Sequence, residues 1–485
     1  MRPCDYGTFF VSRGEIMTQT SPTTENAALS PWPTFTVTAI AAYISTLDLS
    51  IVNVAFAEIA KDFPTASRGT ISWVVTAYSI LFGSLLVVSG RLADRVGRKR
   101  LFQFGTMLFL VGSLLCALAS TMGVLIFGRA VQGIGGAIMT PASLGLLLSV
   151  FPLERRSQAV AWNGAIGALG VASGPTLGAF FVSTFGWRSA FWINVPICLI
   201  AALLAAKFVK ETPRMDSPRP DVGASIFVTL SVASLVWGIS RAEEQSWADS
   251  LVLCLLVAAV VFGAFVVRRT QKHPVPLMPP ALFKVRSFSV ANIATFLFGA
   301  AFAANILNNV LFLRMVWDYS VLEAGLYSAL APVIVAVTSF SIGRHISRIG
   351  FRTLLVGGPL LFAALVYAGS HLFGANPTPW SEWLPLMFVL GISIGLTFPT
   401  LSAATVHSLP ATLFSLGGAI NNTSRQIGSA VGVALLVTIQ ATSDGLHGFQ
   451  RGWYFIAVCS AVAGLVSLLL PRKDKAQASH SHASR

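Results

Sequence analysis

The sequence predicts an all-α polytopic membrane protein of two six-helix halves plus two inserted spans, about 14 transmembrane helices. Three observations carry this. Of 485 residues, 54% are hydrophobic and only 11% charged, and the mean hydropathy is +0.72, too apolar for a soluble chain of this size. Apolar stretches of roughly 20 residues, enough to cross roughly 30 Å of hydrocarbon, recur about fourteen times. Finally, a charged loop, Gly90–Arg100 (GRLADRVGRKR), returns in degenerate form as Gly343–Arg352 (GRHISRIGFR), so the chain reads as a duplication.

Taken in order, residues 1–32 form a polar tail with no leader-like apolar core ahead of the first span, so no cleavable signal is expected, and Met17 offers a second start. The N-terminal half, 33–208, holds spans beginning near Thr34, Thr70, Leu101, Met122, Ala159 and Ser189. Residues 209–287 hold an inserted pair beginning near Asp221 and Ala248. The pair is bounded by two polar, proline-rich linkers, Lys207–Pro220 and Arg268–Arg286. The C-terminal half, 288–471, continues with spans from near Phe288, Val321, Thr353, Trp383, Leu413 and Trp453, and 472–485 is a second polar tail.

The net charge of +14 would suit a nucleic-acid partner, but most of the basic residues fall in the tails and even-numbered loops. That is the positive-inside pattern of a protein with both termini cytoplasmic, and no nucleic-acid partner is expected. Of the five cysteines, Cys4 lies in the tail and Cys116, Cys198, Cys254 and Cys459 lie in spans, which gives neither a disulfide framework nor a metal spacing. The seven histidines are scattered over loops and span ends; His480 and His482 could bind a metal, but a pair on a polar tail is read as incidental, and no metal is expected. With no grouped catalytic set and no G-x-x-x-x-G-K-[ST] loop, an embedded enzyme and a nucleotide-driven pump are both disfavoured.

Asp48 is the only acidic residue deep within a predicted span. A carboxylate at that depth costs roughly 2.5–3.5 kcal/mol to insert, so it faces a partner or a cavity and serves a function. Because its surroundings decide whether the charged form is favoured, it can load and release a proton. A structural salt bridge to Arg129 is the competing reading. Asp48 lies roughly 20 Å along the first span and Arg129 roughly 10 Å along the fourth from the opposite side, which puts them at similar height. Arg425, in the thirteenth span, is expected near that level from the other half. The candidate substrate contacts are Asn53, Trp73, Tyr78, Gln132 and the cluster of Asn305, Asn308 and Asn309 on one face of the ninth span.

The chain resembles the major facilitator superfamily, and within it the fourteen-span drug:proton antiporters of multidrug efflux type. GRLADRVGRKR matches motif A in Gly90, Asp94, Arg95, Gly97, Arg98 and Lys99, and LIFGRAVQGIGGA matches motif B in Arg129, Gln132, Gly133 and Gly135. GVASGPTLGA matches the antiporter motif C in Gly170, Gly174, Pro175 and Gly178, and LDLSIVNVAFA resembles the span-one signature in Asp48, Asn53, Val54 and Ala55. WRSAFWINVPI and NNTSRQIGSAVG resemble two further family stretches. Departures are Ser50 for a common Thr, Ala57 for a usual Pro, and Ser347 for the acid in the second copy of motif A.

The resemblance implies a major-facilitator fold exporting small amphipathic or cationic organic compounds or drugs in exchange for protons. A proton-coupled uptake symporter of a metabolite is the alternative. It also implies a multi-pass protein of the cytoplasmic (inner) membrane, powered by the proton gradient with no cofactor, whose partners are a small-molecule substrate, protons and lipid. A monomer is the starting expectation. Asp48, Arg129 and Arg425 are the expected proton-coupling group. Asp94 is expected to latch onto the positive N-terminal end of the thirteenth span, across the uncharged Val406–Leu413 approach.

Overall fold

The structure is a computed structural model, and it describes residues 31–212, 221–273, 276, 278–342, 346–407, 409, 414–441 and 445–471. Both tails therefore lie outside the described residues, as do parts of the two linkers, Gly343–His345 and most of the Val406–Leu413 approach.

The N-terminal half comprises α1 (Trp32–Asp62), α2 (Arg68–Val96), α3 (Arg98–Ala117), α4 (Met122–Val150) and α5 (Leu153–Phe185). It closes with α6, made of Ser189–Trp192 and Asn194–Phe208 with a break at Ile193. The inserted pair is α7 (Val222–Glu244) and α8 (Ser250–Lys272). The C-terminal half comprises α9 (Arg286–Met315), α10 (Val321–Ile342), α11 (Phe351–Leu372), α12 (Leu384–His407), α13 (Phe414–Ala441) and α14 (Leu446–Ser467).

Twelve of the described helices are long and apolar enough to cross a membrane. Beyond these, α5 and α13 are helices of 33 and 28 residues at the places of the fifth and thirteenth predicted spans. Helix starts follow local chemistry, because the first turn leaves backbone N–H groups without intrahelical partners. Ser67, Thr121, Asp221 and Asp249 accept from those groups at the starts of α2, α4, α7 and α8.

The helices alternate in direction, so α1 begins and α14 ends on one face, called here the tail face. Within the halves, α1 packs on α5, α2 and α3 on α4, α9 on α13 and α14, and α11 on α12 and α14. Two seams join the halves, α2 against α13 and α5 against α10. On the first, Thr423 donates to the carbonyl of Gly83 at 2.7 Å. On the second, Gly325 lies against Pro175 and Ala179. At the far face, Arg314 at the end of α9 bridges to Glu58 near the end of α1.

The inserted pair sits outside this arrangement. α7 packs on both α2 and α13, through a Ser84–Thr229 hydroxyl pair at 2.7 Å and a Thr438 bond to the Ile239 carbonyl at 3.3 Å. α8 packs on α7 and exposes Leu253, Val257, Val260 and Val267, an apolar face suited to lipid.

Candidate functional site: a buried charge cluster and its supports

Asp48 and Arg129 are each fully buried and form an ion pair at 2.6 Å. α1 supplies the acid and α4 the base, and three more helices complete the cluster. Arg129 Nε donates to the Val74 carbonyl of α2 at 2.7 Å, and its Nη1 also donates to Gln132 Oε1 at 2.8 Å. Gln132 Nε2 donates to Asp48 Oδ1 at 3.2 Å and to Ser113 Oγ of α3 at 2.7 Å. Asn194 Nδ2, at the start of the second piece of α6, donates to Asp48 Oδ1 at 2.8 Å. Both carboxylate oxygens are thus occupied, which is the condition under which a buried ion pair is tolerated.

The guanidinium lies over the Tyr78 ring, 4.5 Å from its centroid, and 5.8 Å from that of Phe191. Three polar atoms of the cluster, Arg129 Nη2, Asn194 Oδ1 and the Tyr78 hydroxyl, have no hydrogen-bond partner among the described residues. Such orphans are costly in an apolar interior, and they give the cluster spare donors and acceptors for a second arrangement. If Asp48 takes up a proton, it becomes a donor needing an acceptor, and Asn194 Oδ1 is within one amide rotation.

The antiporter motif lies directly behind this acid. A Cβ on Gly170 would lie 2.6 Å from the Tyr43 carbonyl, one on Gly174 would lie 2.3 Å from Ser50 Cβ, and one on Gly178 would lie 2.7 Å from Ile51 Cγ1. The small-residue stripe therefore lets α5 reach the segment of α1 that carries Asp48, as close helix approach requires. Pro175 lies on the side of α5 that meets α10, so α5 touches the charge-bearing helix and the other half at once.

Motif A occupies the tail-face turn between α2 and α3. Arg98 donates to Asp94 Oδ1 from Nε at 2.9 Å and from Nη2 at 2.7 Å, and from Nη1 to the Gly145 carbonyl of α4 at 2.8 Å. Gly97 has φ +117°, a left-handed conformation that side chains resist, and a Cβ there would meet the Glu211 carboxylate at 2.8 Å. That carboxylate accepts from the backbone N–H groups of Lys99 and Arg100 at 3.0 and 3.1 Å, placing negative charge at the positive end of α3. Asp94 is thus held by Arg98 of its own half. The α13 approach that it was expected to latch lies mostly outside the described residues.

Several sequence expectations need correction. Gln132 and Tyr78, expected as substrate contacts, are fully buried parts of the charge cluster. Trp73 turns toward α7, where it lines a cavity of about 80 Å³ with Thr70, Trp237 and Arg241. Asn309 accepts from Trp453 at 2.9 Å and Asn308 accepts from Gln440 at 2.6 Å, so these amides tie α9 to α14 and α13. Asn305 and Asn53 are both buried, and Asn53 donates to the Leu49 carbonyl of its own helix at 2.7 Å. Arg425 does not join Asp48: it bonds Asn422 at 2.7 Å and lies 5.6 Å from the Phe398 ring centroid. Arg425 packs instead against Gly299 of α9, and its neighbours Thr423 and Gln426 meet Gly83 of α2, nine residues or roughly 14 Å along that helix from the Val74 that meets Arg129.

Asn194 and Ser113 were not among the expected site residues. The signal for Asn194 was an amide inside WINVPI, at a span's start opposite the acid.

Two helical halves joined along two seams, with a charge cluster buried inside the N-terminal one, are the architecture of a membrane transporter. The chain matches the family model described as "Major Facilitator Superfamily" over residues 38–433 and 291–484, and it belongs to that superfamily. It is 31% identical over 424 residues to the "Methylenomycin A resistance protein" of Streptomyces coelicolor, covering 87% of this chain and 88% of that one. It is 30% identical to the "Tetracenomycin C resistance and export protein" of Streptomyces glaucescens, covering 86% and 77%. In fold it is similar to the inward open conformation of the xylose transporter XylE from E. coli, with a TM-score of 0.65 and 15% identity over 92% of this chain and 98% of that one.

Proposed function

We propose that the chain is a fourteen-span proton-coupled exporter of small amphipathic organic compounds, resident in the cytoplasmic membrane with both termini inside. In this reading α5 and α13 also cross the bilayer. The observation that carries it is the Asp48 cluster against the glycine stripe of α5, a helix that also touches the other half. The resistance and export names of the two relatives support outward transport of a drug-like molecule.

A proton reaching Asp48 would release Arg129 and turn the carboxyl toward Asn194 Oδ1, loosening the contact between α1 and α4. Because α5 packs on the same stretch of α1, that local change would be felt at the α5–α10 seam, and alternating access would follow as one half rocks on the other. Asp94 would then serve as the cytoplasmic latch when the α13 end comes within reach. The cationic substrates implied by resemblance lose their natural receptor here, since both oxygens of Asp48 are already engaged.

Everted membrane vesicles test the reading. On adding an exported amphipathic dye such as a neutral naphthylamine, protons should leave the acidified lumen as dye enters. Proton movement in the same direction as the dye would instead establish the uptake symporter.

A further inference from the structure

We propose that Arg425 is the receptor for an anionic group on the transported molecule, so that the preferred substrates are amphipathic acids bearing a carboxylate or comparable anion. This rests on the reading of the chain as a transporter of small amphipathic compounds and names their charge.

The argument begins with orientation. On a wheel of 3.6 residues per turn, one face of α13 meets α2 through Thr423 and Gln426. A second meets α9 through Gly428 and Gly432, and a third meets α7 through Thr438. Arg425 and Asn422 fall in the sector between the α2 and α9 faces, on the side away from α7. In that sector Arg425 passes Gly299 of α9 and brings its guanidinium beside Phe398 of α12. Arg425, Asn422 and Phe398 are each half-buried there, with surface left for a ligand.

Charge is the second step. Among the described residues no carboxylate pairs with Arg425; its recorded partners are the neutral Asn422 amide and the Phe398 ring. Arg129, the other basic residue deep in the helices, has its acid. An arginine held within a membrane protein without a counter-ion is expensive, and such residues line substrate paths. Its fork matches the two oxygens of a carboxylate, a geometry that an ammonium does not reproduce.

The third step is the apolar side. Phe398 packs edge-on against Phe298 and Phe302, each at 5.0 Å between centroids, which gives an aromatic wall beside the cation. A ligand with a flat apolar body and an anionic end would place the body on Phe398 and the anion on Arg425, with the Asn422 amide as a second donor. A cationic ligand would meet repulsion at the same point.

The test uses full-length protein in lipid nanodiscs, with no proton gradient, and three probes of one shape: naphthylacetate, naphthylacetamide and naphthylmethylammonium. The wild type should bind the anion roughly tenfold to a hundredfold more tightly than the amide, as expected for charge-assisted hydrogen bonds. Arg425→Gln should bring the anion down to the level of the amide while leaving amide binding intact, and Arg425→Lys should fall between. Arg425→Glu should transfer the preference to the ammonium. Equal binding of anion and amide by the wild type, including no binding of either, overturns the proposal. So does an Arg425→Gln variant that loses both probes while keeping its monodisperse gel-filtration profile, since the arginine would then be a packing element. A failure of proton coupling or a reversed direction of transport leaves these equilibrium preferences unchanged, so the two readings fail separately.

Discussion

Replacing Asp48 with asparagine removes one charge from a pair in which both partners are fully buried and 2.6 Å apart. Arg129 then keeps its charge with only the Val74 carbonyl and the Gln132 amide as firm acceptors. Breaking a buried pair from one side typically costs about 3–5 kcal/mol, because the remaining charge stays uncompensated. The new amide must also turn its NH2 either toward the Arg129 guanidinium or toward the donating amides of Gln132 and Asn194, so a donor meets a donor on either side. The folded population should therefore fall relative to the unfolded by roughly two to nearly four powers of ten.

Thermal unfolding of purified protein would report the loss, and the double variant Asp48→Asn/Arg129→Gln should recover most of it by removing both charges. Transport should behave differently. In proteoliposomes under a pH gradient, the single and double variants should both lose proton-driven accumulation, because neither can bind and release the proton. Recovery of coupled transport in the double variant would mean that the pair is only a strut. An unaltered unfolding curve for Asp48→Asn would refute the energetic reasoning itself.

Other perturbations reach different parts of the device. Gly174→Ala places a Cβ 2.3 Å from Ser50 Cβ and should cost about 1–3 kcal/mol of stability and most transport; Ser50→Gly in the same chain should restore both, as read by unfolding midpoint and dye efflux. Asp94→Asn weakens the bond to Arg98 at a partly exposed site, so stability should shift by less than about 1 kcal/mol. Coupling should fall, or cysteines introduced at the tail face should become more accessible to thiol reagents; normal transport with unchanged accessibility would reduce motif A to a topological anchor. Glu58→Gln removes the charged bridge to Arg314 and should speed thiol labelling at the far face severalfold. Exchanging the two charges (Glu58→Arg with Arg314→Glu) should slow it again.

The legible and illegible parts of this chain divide along physical lines. Span positions could be read because a bilayer imposes length and apolarity on every crossing segment, and the Asp48–Arg129 pair could be read because an isolated buried acid demands a cation. The substrate wall was not legible. Asn308, Asn309 and Gln132 are polar groups on apolar helices, and such groups serve equally to line a cavity or to bond a neighbouring helix. Only the positions of Gln440, Trp453 and Asp48 decide between the two. Trp73 fails for a related reason: the inserted α7 covers a face of α2 that would otherwise be unpartnered.

That inserted helix also constrains how the molecule moves. α7 rests on α2 of one half and α13 of the other, so when the halves turn relative to each other it cannot follow both. It must travel with one and slip along the other, and the bonds it would surrender are single hydroxyl contacts at Ser84–Thr229 and Thr438–Ile239, each worth about 1 kcal/mol. α7 would thus damp that swing at the seam, limiting its amplitude and pace.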